Sequence, residues 1–443
     1  MERLTYYLPM LSFANLDDHR TWLCTQAALP RGFRCASLAL DFTPFETPRR
    51  ATMRLSLLKL DAPTAAFALQ FTRNAFAGAP VLVGRRRLQS PTLGAVLINN
   101  KISNVCAPDG VAASEQLCDA LALQTGLQSG QILPCSTGII GWRLPVQAMC
   151  EALPRLLGDL RGDSIMPVAQ GIMTTDLYPK IRRVALGEGS IVGIAKGAGM
   201  VEPNLATMLV YILTDVAVAP AFLRQALTPI VAQSFNAISI DSDESTSDTL
   251  ALLSSGVVPG VTETAFAQGL QEVCSNLARD VVRNGEGTHH VMQVTVRGAP
   301  HEALAKGIGK AVINSPLWQC AVCGNDPNIG RLVMAVGKFL GGAPASLDLA
   351  RVRMRVGGHE VFANGAFLIS PALESALLAH FTGAELYQSV APTDGVYKAP
   401  IAFPPHERCV EVEIDLGAGA AAFTVWGSDR SHEYISENAD YRS

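Results

Sequence analysis

The sequence predicts a mixed α/β fold with more than one domain, on three observations. Short apolar or alternating runs have the period of strands, and longer segments carry apolar residues three and four apart, as helices do. The chain of 443 residues is also 49% hydrophobic and 17% charged, enough apolar material for two or three buried cores. Strands are expected at 93–98, 191–195, 208–213, 292–296, 352–356, 409–414 and 421–426. Helices are expected at 114–125, 145–160, 219–236, 263–282, 302–313 and 371–381. Ser114 and Thr262 are read as N-caps. Glu263 falls in a first turn, where the helix dipole favours negative charge, and Pro371 suits a first helical position. Glycine-rich loops separate these segments, with no low-complexity stretch and no fixed-period repeat.

Composition narrows the function classes. Lys and Arg total 35 against 39 Asp and Glu, a net charge of -4, which offers no electrostatic footprint for nucleic acid. A mean hydropathy of +0.23 is far from that of disordered chains. No apolar run reaches the ~18 residues of a spanning helix; the nearest candidate, 207–223, contains Asp215 and Pro220. Segment 6–14 has the look of a signal core, but Pro9 interrupts it, and Glu2 with Arg3 leaves its charged end nearly neutral. A soluble cytoplasmic protein without membrane or nucleic-acid partners is therefore expected. Its cysteines, Cys24, Cys35, Cys106, Cys118, Cys135, Cys150, Cys274, Cys320, Cys323 and Cys409, are irregularly spaced and read mostly as reduced, buried thiols. Cys320 and Cys323 form a C-x-x-C pair, but no second ligand pair accompanies them beyond His289-His290. Core packing is expected there, and no metal.

Four stretches bear on chemistry. Lys306-Gly-Ile-Gly-Lys310 lacks the spacing of a phosphate loop and lies in a helical pattern. No G-x-S-x-G elbow is present. The polar run 241–249 is either a surface loop capping its own backbone or a functional one. In Lys196-Gly-Ala-Gly-Met-Val-Glu-Pro-Asn-Leu-Ala-Thr-Met-Leu209, two glycines and Pro203 suggest an irregular approach to Ala206-Thr207, after which an apolar strand begins. Cleavage between Ala206 and Thr207 would give Thr207 a free α-amine beside its own Oγ, and such an amine can act as general base for a hydroxyl nucleophile. The alternative is an ordinary β-branched residue in a buried strand. In Pro134-Cys-Ser-Thr-Gly-Ile-Ile-Gly141 a hydroxyl and a flexible glycine stand side by side, suited to a common tight turn or to an oxyanion hole.

Taken together, Ser136-Thr-Gly-Ile-Ile-Gly141, Gly171-Ile-Met-Thr-Thr-Asp176, the run from Lys196 to Leu209, Asn284-Gly-Glu-Gly287, Gly324-Asn-Asp-Pro-Asn-Ile-Gly-Arg331 and Asn438-Ala-Asp-Tyr-Arg-Ser443 resemble, in order, the motifs of the ornithine acetyltransferase (glutamate N-acetyltransferase) family. The similarity extends from about Leu29 to the last residue. It implies self-cleavage at Ala206–Thr207 into an α chain, 1–206, and a β chain, 207–443, assembled as a heterotetramer of two α and two β chains. It implies acetyl transfer from N2-acetyl-L-ornithine to L-glutamate, in arginine biosynthesis, through an acetyl-threonine. No cofactor is implied, though acetyl-CoA is a possible donor. On matched positions Thr207 would be the nucleophile and Thr137 with Gly138 the oxyanion hole, while Thr174, Lys196, Thr207, Glu286, Asn438 and Ser443 would bind substrate.

The chain departs from the family pattern in places. Lys101 and Ile102 stand where glycine and asparagine are usual, Thr288-His-His290 replaces Ala-Thr-Lys, and Ser443 replaces threonine. The Lys101 loop is expected to differ in shape. These departures leave open a paralogue acylating or deacylating a related amino acid, a hydrolase, or an inactive cleaved homologue with a structural role. The fold expected is a layered αββα-type sandwich with a smaller C-terminal α/β domain: a large unit over about 1–283 and a smaller one over about 291–443.

Overall fold

A computed structural model describes residues 10–202, 208–342 and 347–440. The chain forms two compact units, one of residues 22–236 and 243–281, the other of residues 1–21, 237–242 and 282–443. Each draws on discontinuous stretches of sequence.

The first unit holds two sheets. One runs β1 (Phe33–Phe42), β2 (Ala51–Thr64), β4 (Leu93–Asn99), β5 (Ile132–Ser136). The other runs β3 (Phe67–Phe71), β10 (Thr249–Val258), β8 (Leu209–Val216), β7 (Gly189–Lys196), β6 (Lys180–Leu186). Strand alternation explains the layering. Leu58, Val96, Ile98, Leu133 and Cys135 face Ile194, Tyr211, Leu213 and Ala251 in one buried cluster, which also takes residues from α1 (Leu16–Gln26) and α5 (Met166–Gly171). Residues of the opposite parity, Leu55, Leu57, Ala95 and Leu97, pack with α3 (Gly110–Thr125) and α4 (Val146–Gly158). On the far side of the second sheet, Val273 and Leu277 of α7 (Glu263–Arg283) reach the backbone of β7 at Gly193. The unit is the expected αββα sandwich, with α2 (Ala79–Arg87) and α6 (Pro220–Gln233) completing it.

The second unit is built on one sheet. Its order is β14 (Ala366–Phe367), β13 (His359–Ala363), β12 (Arg353–Val356), β15 (Val410–Asp415), β11 (Val291–Ala299), β16 (Ala421–Ser428), β9 (Ile238–Ser239). Met292, Val294, Val296, Val412 and Ile414 turn one face into a core closed by α8 (Glu302–Ile313), α9 (Pro316–Cys323), α10 (Ile329–Gly342) and α11 (Pro371–Ala384). Trp318 lies at its centre with Phe381 edge-on, ring centroids 6.2 Å apart. The last helix is α12 (His432–Ala439).

Each expected strand and helix is present, with ends within a few residues. Thr262 caps α7 through Ala265 N at 3.2 Å, and Pro371 opens α11. Two expectations are corrected. α3 begins at Gly110, so Ser114 is no cap; buried inside the helix, it accepts from Asn104 Nδ2 at 3.0 Å. The cysteines are less buried than expected: Cys35, Cys118, Cys135 and Cys274 are enclosed, while Cys24, Cys106 and Cys320 are exposed. Cys320 lies on the outward side of α9, because an amphipathic helix keeps one face in water. Segment 241–249, for which two readings stood open, combines them: Ser245 Oγ accepts from Ser247 N at 3.1 Å, and Ser247 and Asp248 are buried. Among the described residues no helix is long and apolar enough to cross a membrane.

Candidate active site

Parallel pairing puts the ends of β4 and β5 side by side, with Asn99 opposite Ser136. Asn99 stitches the two following loops. Its carbonyl accepts from Thr137 N at 3.1 Å, its Nδ2 donates to Ser136 Oγ at 2.7 Å, and its Oδ1 accepts from Ile102 N at 3.0 Å. Gly138 follows at φ +116°, where a Cβ would lie 2.3 Å from the Lys101 carbonyl oxygen. Only glycine fits that close approach. The same Lys101 carbonyl accepts from Ile139 N at 2.9 Å, so the loop that departs from the family pattern buttresses the turn. Among the described residues neither the Thr137 hydroxyl nor the Gly138 N–H has a hydrogen-bond partner. Two unengaged donors on neighbouring residues suit an oxyanion.

Asn100 links this turn to the next part of the site. Its Oδ1 accepts from Arg54 N and its Nδ2 donates to Met173 O, both at 2.7 Å. Thr174 then donates its N–H to Asp176 Oδ2 at 2.9 Å. Asp176 is enclosed, and its Oδ1 accepts from Lys180 Nζ and, at 3.1 Å, from Gly197 N. Burial raises the Asp176 carboxyl, but the Lys180 and Lys196 charges and these hydrogen bonds outweigh it and hold the group below the usual carboxylate range.

Lys196 ends β7 opposite Leu209, the first residue of β8, and Leu209 in turn pairs with Thr249 of β10. Thr249 N donates to Met208 O at 3.0 Å. Asp248, one residue earlier, is buried, and burial lifts its carboxyl well above the ordinary value against a Ser245 hydrogen bond and the Lys196 charge. Ala206 and Thr207 lie outside the described residues, as does Ser443.

In the second unit the family-matched residues Glu286 and Asn438 meet. Asn438 Nδ2 donates to Glu286 Oε2 at 2.8 Å and to Tyr434 O at 2.9 Å. The contact depends on Gly287, at φ +62°, where a Cβ would lie 2.3 Å from Tyr434 N. Ser431, the N-cap of α12, donates its hydroxyl to Gly287 O at 2.6 Å. Glu437 is raised by burial and by the Glu286 charge, against the Lys398 charge. Behind them the two histidines are structural. His289 Nε2 contacts Glu433 Oε2 at 3.0 Å, and His290 Nδ1 contacts Asp429 Oδ2 at 2.8 Å. Asn325, from the Gly324–Arg331 motif, contacts His290 Nε2 through its Oδ1 at 3.2 Å and donates from Nδ2 to Glu385 Oε1 at 3.2 Å. That motif makes the turn between α9 and α10 and the first residues of α10.

The structure thus joins Thr137 with Gly138, Thr174 with the Lys196–Gly197 corner, and Glu286 with Asn438. Sequence reasoning missed Asn99, Asn100, Asp176, Lys180 and Asp248. None of them carries a local signal: Pro179 argues against a helical reading of the Asp176–Lys180 spacing, and the pair's enclosure is set by packing.

The ArgJ family model matches residues 47–443. The chain is 35% identical over 427 residues to the arginine biosynthesis bifunctional protein ArgJ of Nitratidesulfovibrio vulgaris, covering 94% of this chain and 100% of the relative. It is 31% identical over 414 residues to ArgJ 2 of Clostridium acetobutylicum, covering 93% and 98%. Among solved structures it is similar to an arginine biosynthesis bifunctional protein from Bacillus halodurans, at 24% identity and a TM-score of 0.43 over 52% of this chain and 98% of that one. A Mycobacterium tuberculosis ornithine acetyltransferase complexed with ornithine matches at 29% identity and a TM-score of 0.32, covering 41% and 97%.

Proposed function

The chain belongs to the ArgJ family, and on that premise we propose that it transfers an acetyl group from N2-acetyl-L-ornithine to L-glutamate, in arginine biosynthesis. The observation that carries this reading is the family match over residues 47–443, supported by the unengaged donors of Thr137 and Gly138. Self-cleavage between Ala206 and Thr207 frees the Thr207 α-amine. That amine takes the proton of Thr207 Oγ as the oxygen attacks the acetyl carbonyl carbon. The Gly138 N–H and the Thr137 hydroxyl stabilise the oxyanion that develops. The C–N bond breaks, the proton passes to the departing amine, and ornithine leaves. The amine of glutamate then attacks the acetyl ester, restoring the threonine.

Lys196 and Thr174 recognise the α-carboxylate side of each substrate, Glu286 with Asn438 recognises an ammonium, and Ser443 assists at the chain end. This transfer requires no cofactor, and acetyl-CoA is the alternative acetyl donor. The cleaved chains form a heterotetramer of two α and two β chains in the cytoplasm. The paralogue, hydrolase and inactive-homologue readings gain no support, because relatives at 31% and 35% identity carry the arginine-biosynthesis name.

Incubating the purified protein with N-acetylornithine and glutamate tests this. Ornithine and N-acetylglutamate should appear, with Thr207 acetylated when glutamate is withheld. Thr207→Ala should leave one uncut, inactive chain. A wild-type protein that runs as a single uncut polypeptide, or acetylates Thr207 but never glutamate, would overturn the reading.

A further inference from the structure

One buried carboxylate gathers parts of the first unit that sequence keeps apart. Asp176 Oδ2 accepts from Thr174 N at 2.9 Å, and its Oδ1 accepts from Gly197 N at 3.1 Å and from Lys180 Nζ. The side chains of Asp176 and Lys180 are both fully enclosed. Each oxygen faces only donors, and one of those donors is a buried ammonium. Such charge-assisted bonds are among the strongest that side chains make, and they have directional preference. They connect the turn carrying Thr174 to the corner where β7 ends at Lys196.

We propose that Asp176, backed by Lys180, is a positioning residue that fixes the Thr174 backbone and the Lys196–Gly197 corner in the geometry that binds the acetyl donor. This rests on the acetyl-transfer reading for the identity of the substrate, and on geometry alone for the coupling of the two segments. An amide in place of the carboxylate cannot substitute for it. Whichever way Asn is turned, its NH2 faces either Thr174 N–H or the Lys180 and Gly197 donors, and buried donors that meet donors stay unsatisfied. Lys180 supplies the matching charge from β6, so the carboxylate does not need water to stay ionised.

The test uses the self-cleaved enzyme with Asp176→Asn and Asp176→Glu. In Asp176→Asn, hydrogen exchange at Thr174 and Gly197 should accelerate by about tenfold or more, as expected for losing bonds to a charged acceptor. KM for N-acetylornithine should rise about tenfold while kcat changes by less than about threefold, the pattern of lost ground-state binding. Asp176→Glu keeps the charge and should restore much of the KM. Unchanged exchange at both amides, or a fall in kcat at constant KM, would overturn the proposal. If Asp176→Asn does not fold, Asp176→Glu decides by the same two measurements, since its longer arm should still raise exchange and KM above wild type. If the wild type fails to move acetyl groups, the functional reading falls, and the exchange result alone still decides whether Asp176 couples the two segments.

Discussion

Gly138 shows how narrowly one residue can be constrained. Its positive φ, and the Lys101 carbonyl oxygen only 2.3 Å from where a Cβ would stand, exclude any side chain, so Gly138→Ala must shift the turn and re-aim the free N–H. We expect kcat for acetyl transfer to fall by about 10²–10³, the usual effect of losing one oxyanion donor, with a smaller change in KM. Steady-state kinetics on the purified variant would check it. His290 makes a second residue-scale case. Burial lowers its proton affinity, but the hydrogen bond and charge of Asp429, with Glu385 and Asn325 nearby, outweigh burial and raise it. A histidine whose folded value is raised stabilises the fold fully below its unfolded value of about 6.5, and that contribution is lost as pH rises through the folded value. The stability difference between wild type and His290→Asn should therefore be largest near pH 6 and shrink toward pH 9. Chemical denaturation at a series of pH values would measure it, and a constant difference would count against the ion pair.

Elements position these residues through packing. Lys196 reaches its place because β7 is clamped between β8 and β6 and backed by α7, whose Leu277 is fully buried against Gly193. Leu277→Ala leaves a cavity under β7 and should cost about 2–5 kcal/mol, lowering the thermal midpoint while the enzyme remains cleaved. The same scale explains what the sequence revealed. The 3.6-residue pattern of α7 and α8 and the alternation of β11 and β15 are strong because each buries one face against one layer. β1 and β2 escape a reading by period. β2 buries Leu55 and Leu57 on one face but Leu58 and Leu60 on the other, so the alternation breaks into a run that resembles neither period. Segment 241–249 reads as polar turn chemistry, yet its end is buried because β10 begins there, paired on both sides by β3 and β8.

At the scale of the whole molecule, the proposed cut at Ala206–Thr207 has a mechanical consequence. In the sheet β3-β10-β8-β7-β6, strands β3, β6 and β7 precede the cut and β8 and β10 follow it. The two products would share one hydrogen-bonded sheet and one core, and neither could leave without breaking the β7–β8 and β3–β10 ladders. The chains should co-elute on size exclusion after complete cleavage and separate only in denaturant, as intact mass and chromatography would show. Separation in native buffer would contradict the shared sheet.

The sequence by itself determined the mixed α/β elements, through local periodicity, and the family with the αββα layering it implies and the identity of the motif residues, through short ordered blocks that a linear text preserves. It also located Thr137 beside Gly138, a pair adjacent in the chain. Only the tertiary structure decided that Asp176 joins Thr174 to Gly197, that Lys101 supports the Gly138 turn through its backbone rather than its charge, and that His289 and His290 lock onto Glu433 and Asp429. Those are contacts between residues up to 144 positions apart. Their strength comes from exclusion of water, and burial is a property of the packed layers that no stretch of sequence carries alone.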